Sequence, residues 1–125
     1  MTTETITTKT TASEATASGT VRLSCADAWL PVCDRSLLTP GRGVAVLLPD
    51  GDQAALFMDR SGQVYAIGNR DPFTGAYVLA RGLLGSAGGR PFVASPLLKQ
   101  RFDLATGACL DDAGAAVPVF AVRTD

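Results

Sequence analysis

Large apolar side chains in this chain fall into short runs, repeatedly interrupted by glycine, proline and acidic residues, which is the pattern of many turns and short strands rather than long helices. Residues 21–33, VRLSCADAWLPVC, read as an edge strand, a turn at Ala26 and Asp27, and a short apolar strand ending at Cys33, with Trp29 as a core anchor. Residues 34–38 fit one helical turn before Pro40 and Gly41, where proline's fixed φ and glycine's freedom favour a tight turn. Strands are expected at 43–48, 53–58 and 63–67, split by turns at 49–52 and 59–62, which makes a three-stranded meander.

Beyond the meander, residues 69–91 are dense in glycine and read as a structured loop. Further strands are expected at 92–94, 100–104 and 108–110, with a turn at Thr106 and Gly107 and a closing strand at 117–122. Residues 1–20 hold no hydrophobic periodicity and almost no large apolar side chain, so they are expected to be a disordered tail, with the folded domain spanning 21–125. No repeat of 20 to 50 residues is evident.

Composition narrows the function classes. At 125 residues, 46% of them apolar, the chain can build one packed core, and thirteen glycines with seven prolines point to an all-β domain. Eleven basic against twelve acidic residues give a net charge of −1, so no summed field gathers phosphate backbones and nucleic acid is not an expected partner. Apolar runs stop far short of the roughly 20 residues that span a bilayer, so no membrane anchor is expected. The N-terminus lacks the basic start, apolar middle and cleavage site of a secretory signal, which points to the cytoplasm. Cys25, Cys33 and Cys109 are an odd set without close spacing and fit reduced, mostly core thiols.

The chain contains no histidine. No histidine-activated nucleophile can therefore form, and the acid pairs Asp50 with Asp52 and Asp111 with Asp112 sit in polar turns where both members stay ionised. Three scattered cysteines without a fourth ligand do not make a zinc site. Gly41-Arg42-Gly43 precedes a strand instead of opening a helix, and residues 85–89 lack a Lys-Ser/Thr ending, so neither cradles a phosphate. Lys99, Gln100 and Arg101 read as a solvated edge. Catalysis by this chain alone is not expected.

Two segments carry a specific signal: GNRDPFTGA at 68–76 and ASPLLKQRFDLATG at 94–107. Together they resemble the two cluster loops of a Rieske domain, whose second loop leads into the phrase F-D-L-x-T-G, intact here from Phe102 to Gly107. The resemblance implies an all-β fold of stacked antiparallel sheets. It places the four cluster-ligand positions at Asp71, Phe73, Ser95 and Leu98. A Rieske centre takes two thiolates on one iron and two imidazoles on the other. None of these four side chains is a thiol or an imidazole, so no 2Fe-2S cluster is expected.

This pattern of lost ligands, with the fuller run from Trp29 to Val122, resembles the small subunits of NAD(P)H-dependent nitrite reductases, apart from Ser86-Ala87, where that family more often has an acidic residue. The resemblance implies a non-redox subunit without cofactors of its own, partnered by a large subunit that carries FAD, siroheme and a 4Fe-4S cluster and reduces nitrite to ammonium. The former cluster loops would then serve as a protein-binding surface made of Asp71, Pro72, Phe73, Pro96, Leu97, Leu98 and Lys99. Asp71 in a turn beside proline reads first as a structural residue, able to tie the two loops together by accepting backbone N–H groups. Two other readings use the same fold: an interaction module for another enzyme, and a ferredoxin-type electron carrier, which the missing ligands oppose.

Overall fold

The computed structural model describes residues 19–125; residues 1–18, most of the expected tail, lie outside them. Ten strands follow in chain order: β1 (Thr20–Cys25), β2 (Ala28–Asp34), β3 (Gly43–Leu47), β4 (Gln53–Met58), β5 (Val64–Gly68), β6 (Leu83–Ala87), β7 (Arg90–Ala94), β8 (Arg101–Asp103), β9 (Val119–Phe120) and β10 (Val122–Thr124). Single 3-10 turns sit at Arg35–Leu37 and Leu79–Arg81. The strands form three antiparallel sheets, ordered β10-β1-β2, β3-β4-β5-β9 and β6-β7-β8.

β4 explains the layering. Its run QAALFM is apolar on both faces, as a strand buried between two layers must be, and five of its six residues are buried. Ala54, Leu56 and Met58 face one core, with Val21, Leu23, Leu38 and Val64. Ala55 and Phe57 face the other, with Ile67, Leu79, Val93, Phe102, Leu104 and Cys109. Phe57 and Phe102 are fully buried, and burying a ring of that size contributes about 2–3 kcal/mol. The meander sheet is therefore the middle layer, with β10-β1-β2 on one side and β6-β7-β8 with its loops on the other.

Four expectations need correction. Trp29 is 41% exposed instead of anchoring the core. It lies opposite Ser24 on the edge strand β2, and the Arg123 guanidinium covers its ring at 4.9 Å from the centroid. The glycine-dense stretch 69–91 holds the whole of β6, which pairs with β7 over five positions. It reads as loop because of Gly85, yet Gly85 sits in the strand with the Phe92 ring packed over it, where a side chain would collide. Residues 108–110 make only isolated bridges, Phe102 with Cys109 and Ala108 with Ala116. The closing strand is two strands, since β9 pairs with β5 and β10 with β1. All three cysteines are free; Cys109 is buried and the other two are half-buried. Burial, with Asp34 nearby, pushes the Cys33 thiol up and keeps it protonated.

Candidate functional site

Two loops rise from neighbouring sheets, one from the end of β5 and one from the end of β7. The first is rooted by Asn69, which is buried: its Oδ1 accepts the Ala80 N–H at 2.7 Å and its Nδ2 donates to Gln53 Oε1 at 2.9 Å. Asp71 follows, also fully buried. Its N–H donates to the Ala76 carbonyl at 2.8 Å, its carbonyl accepts the Gly75 N–H at 2.7 Å, and its Oδ1 accepts the Phe73 N–H at 2.8 Å. The loop is thus closed around one carboxylate.

The second Asp71 oxygen reaches across to the other loop. Ser95, 1% exposed, donates its hydroxyl to Asp71 Oδ2 at 2.6 Å. Ser95 Oγ also accepts the Leu97 N–H at 3.3 Å, and its backbone closes the loop by donating to the Gln100 carbonyl at 2.9 Å and accepting the Lys99 N–H at 3.1 Å. Lys99 stands at φ 66°, the left-handed conformation that lets so short a loop turn back. A hydrogen bond to a carboxylate is roughly twice as strong as a neutral one, and here it joins positions 24 residues apart.

The first loop has a structural twin. Residues 71–76 and 103–108 share the pattern D-x-x-T-G-A. In the twin, Asp103 donates its N–H to Ala108, its carbonyl accepts the Gly107 N–H at 2.7 Å, and its Oδ1 accepts the Ala105 and Thr106 N–H groups. The threonines match as well: Thr74 and Thr106 each accept an alanine N–H two residues on, at 3.2 Å. The outer oxygens differ. Arg90 Nη2 lies 2.7 Å from Asp103 Oδ2, a charge contact too bent to count as a hydrogen bond, whereas Asp71 has no cation within ion-pair distance among the described residues. The repeated pattern is visible in the sequence and is the signal that would have marked Asp103 as a buried structural residue; Asn69 has no such local signal.

Around this staple the surface is apolar. Phe73 (36% exposed), Leu97 (49%) and Leu98 (55%) project from the two loops, flanked by exposed Pro72, Pro96, Tyr77 and Leu110. Phe73 leans on buried Phe102, ring centroids 6.3 Å apart. Arg101 is occupied: it grips Asp111 with two side-chain nitrogens at 2.8 and 3.1 Å and holds that carboxyl below its usual range. Lys99 has no ion-pair partner among the described residues.

The sequence profile of the Rieske-like [2Fe-2S] domain family matches residues 28–125. The nitrite reductase (NADH) small subunit of Salmonella typhimurium is 44% identical over 96 residues, covering 76% of this chain and 88% of that protein. The chain belongs to this family of nitrite reductase small subunits. Its fold agrees with the crystal structure of a Mycobacterium tuberculosis protein assigned as an NADH-dependent nitrite reductase small subunit, at a TM-score of 0.70 and 48% identity, covering 84% of this chain and 86% of that one. The nitrite reductase [NAD(P)H] large subunit of Klebsiella oxytoca contains a stretch 43% identical over 98 residues, 78% of this chain but 10% of that protein.

The family's cluster does not fit this small subunit. The positions to which the resemblance assigns its ligands carry a carboxylate and a hydroxyl already hydrogen-bonded to each other, a phenyl ring packed on Phe102 and a solvent-facing isobutyl group. Neither hydrocarbon can donate to iron, and no imidazole exists elsewhere in the chain to replace them. Among the described residues, no three histidine, cysteine or acidic side chains are grouped to hold a metal.

Proposed function

We propose that this chain is the small, non-redox subunit of an NAD(P)H-dependent nitrite reductase, supporting reduction of nitrite to ammonium by a large subunit that carries FAD, siroheme and a 4Fe-4S cluster. The observation that carries this reading is the Asp71–Ser95 hydrogen bond, which joins the two loops at positions where the resemblance puts cluster ligands. A chain with such a site has no electron to carry. What it retains is a shaped tip, and Phe73, Leu97, Leu98, Pro72 and Pro96 supply the exposed apolar centre that binding surfaces use, with Lys99 at its rim.

The Klebsiella large subunit that contains a copy of this domain supports the choice of partner, because two units joined in one chain work in one assembly. The cytoplasm is the compartment that suits three free thiols and a nicotinamide-dependent partner. Among the described residues no helix is long and apolar enough to cross a membrane.

The deciding experiment is nitrite-dependent NADH or NADPH oxidation by a candidate large subunit from the same organism, measured with and without this chain, beside gel filtration of the mixture. Co-elution with a gain in nitrite turnover is expected. Separate elution with an unchanged rate would reject the assignment and leave a Rieske-like binding module for another enzyme. A brown, iron-loaded preparation of the chain would instead favour an electron carrier.

A further inference from the structure

Exposed strand edges are normally blunted by charge, proline or shortness, because their free peptide groups recruit other strands. β2 carries Pro31 and Asp34, β8 Arg101 and Asp103, β10 Arg123, and β9 is two residues long. β3 and β6 carry neither charge nor proline. β3 is closed at its start, where Gly43 packs directly on the Ala80 carbonyl. β6, with the sequence LLGSA, borders a cleft of 610 Å³ lined also by Pro40, Gly41, Arg60, Tyr65 and Leu104.

Register decides which peptide groups face that cleft. Ala87 pairs with Arg90 across the two-residue turn Gly88–Gly89, whose φ values of 58° and 81° make it a tight hairpin turn. The closing pair of such a hairpin exchanges both backbone hydrogen bonds, and so do the alternate pairs Gly85 with Phe92 and Leu83 with Ala94. Leu84 and Ser86 therefore turn N–H and C=O away from β7. Pro91, opposite Ser86, agrees: it has no N–H, and its carbonyl accepts the Leu104 N–H on the β8 side at 3.0 Å. Leu84 and Ser86 both line the cleft.

The rim carries one carboxylate and one guanidinium. Asp59 also lines the cleft, but its Oδ1 is taken by the Ser61 hydroxyl and by the Ser61 and Gln63 N–H groups. Arg60 beside it is exposed and has no ion-pair partner among the described residues. The floor of Leu84, Pro91, Leu104 and the Tyr65 ring takes apolar side chains. At its other end β6 begins with Leu83, 78% exposed and paired with Ala94, the residue before Ser95, so the open edge runs into the apolar tip.

We propose that β6 receives an extended segment of the large subunit as an added strand, its peptide groups bonding Leu84 and Ser86, an apolar side chain entering the cleft and an acidic one meeting Arg60. The proposal rests on the assignment to nitrite reductase, and its test separates the two. Hydrogen exchange of the intact chain, alone and with the large subunit, is expected to show the Leu84 and Ser86 amides gaining protection only in the complex. Ser86→Pro removes one outward N–H without touching a hairpin bond and is expected to weaken association about tenfold. Arg60→Glu should weaken it several-fold and lower its salt dependence.

Failure of the wild-type chain to bind the large subunit overturns the assignment itself. Normal binding with Leu84 and Ser86 still exchanging freely overturns only the strand addition. Protection of the same amides in the isolated chain, rising with concentration, would give the edge to a second copy and overturns it as well. If Ser86→Pro fails to fold, the wild-type exchange experiment decides alone.

Discussion

The hydroxyl of Ser95 donates to Asp71 Oδ2 at 2.6 Å, and both side chains are shielded from water by the loops they join. The resemblance to Rieske domains puts two cluster ligands at these positions. Here a single hydrogen bond joins them, and it leaves each Asp71 side-chain oxygen with a donor: one holds its own loop and the other the neighbouring loop.

Removing either half should therefore cost more than an ordinary hydrogen bond. Ser95→Ala leaves Asp71 Oδ2 buried without a donor and is expected to cost about 1–2 kcal/mol; Asp71→Ala orphans the Phe73 N–H as well and should cost about 3 kcal/mol. Urea unfolding of both variants and the double variant should give a coupling of about 1–2 kcal/mol. Strict additivity would mean that the two loops are held by other contacts.

The twin turns offer an internal comparison. Gly75 and Gly107 have φ values of 79° and 77°, so an alanine at either meets the same left-handed strain of about 1–2 kcal/mol. At Gly107 the new methyl group would also collide with the Val117 carbonyl, which is backbone and cannot retreat, while at Gly75 it meets only the flexible Arg70 guanidinium at 3.3 Å. Gly75→Ala should lower stability by about 1 kcal/mol and Gly107→Ala by about 3 kcal/mol or more. Equal losses in thermal melts would remove the steric part of this account.

Phe73→Asp combined with Leu98→Asp places two charges in the apolar tip without touching the Asp71–Ser95 staple. Association with the large subunit should be lost while the circular dichroism spectrum of the free chain stays unchanged. Undiminished co-elution of the double variant would move the interface away from these loops.

Acid should destabilise the domain through its surface carboxylates. Asp59 is held below its ordinary value of 3.8 mainly by the Ser61 hydroxyl, Asp111 by Arg101, and Asp125 by Arg22. A carboxyl whose folded pKa is depressed contributes stability that is present above the unfolded value and is lost as pH falls through the folded one. The loss should thus begin as pH drops below about 4 and deepen under more acidic conditions. Asp111→Asn should flatten that limb in pH-dependent melts and leave the contour above pH 5 unchanged; an identical acid limb in the variant would contradict the assignment.

Trp29 is the single tryptophan and stacks beneath Arg123 on an exposed strand. Its fluorescence should show the red-shifted emission of a partly hydrated indole, and Arg123→Ala should cost no more than about 0.5–1 kcal/mol, the range of an exposed cation–π contact. Strongly blue-shifted emission would place the ring in the core after all.

The meander was legible because its turns are written locally. Pro49 to Asp52 and Asp59 to Gly62 each combine turn formers between apolar runs, and β3, β4 and β5 fall within a residue or two of their expected bounds. β6 was not legible, since Gly85 argues against a strand and is admitted only because Phe92, seven residues on, needs the space above it. Trp29 misled for a related reason: side-chain hydrophobicity favours burial, but the β1–β2 register turns that position outward. Of the site, the four ligand positions come from the family resemblance, and the tie between the loops, expected through backbone N–H groups, is made instead by the Ser95 hydroxyl.

Sequence alone determined what this protein's site cannot do. Donor chemistry belongs to side chains irrespective of fold, and a chain without histidine cannot supply the two imidazoles of a Rieske set. Local sterics likewise placed most of the turns. Only the tertiary structure decided that Ser95 would meet Asp71, that Arg90 would stand beside Asp103, and that β6 would keep an open edge over a cleft. Each of these depends on the register and stacking of segments far apart in the chain, which are settled by burying both faces of β4 at once and not by any short stretch of residues.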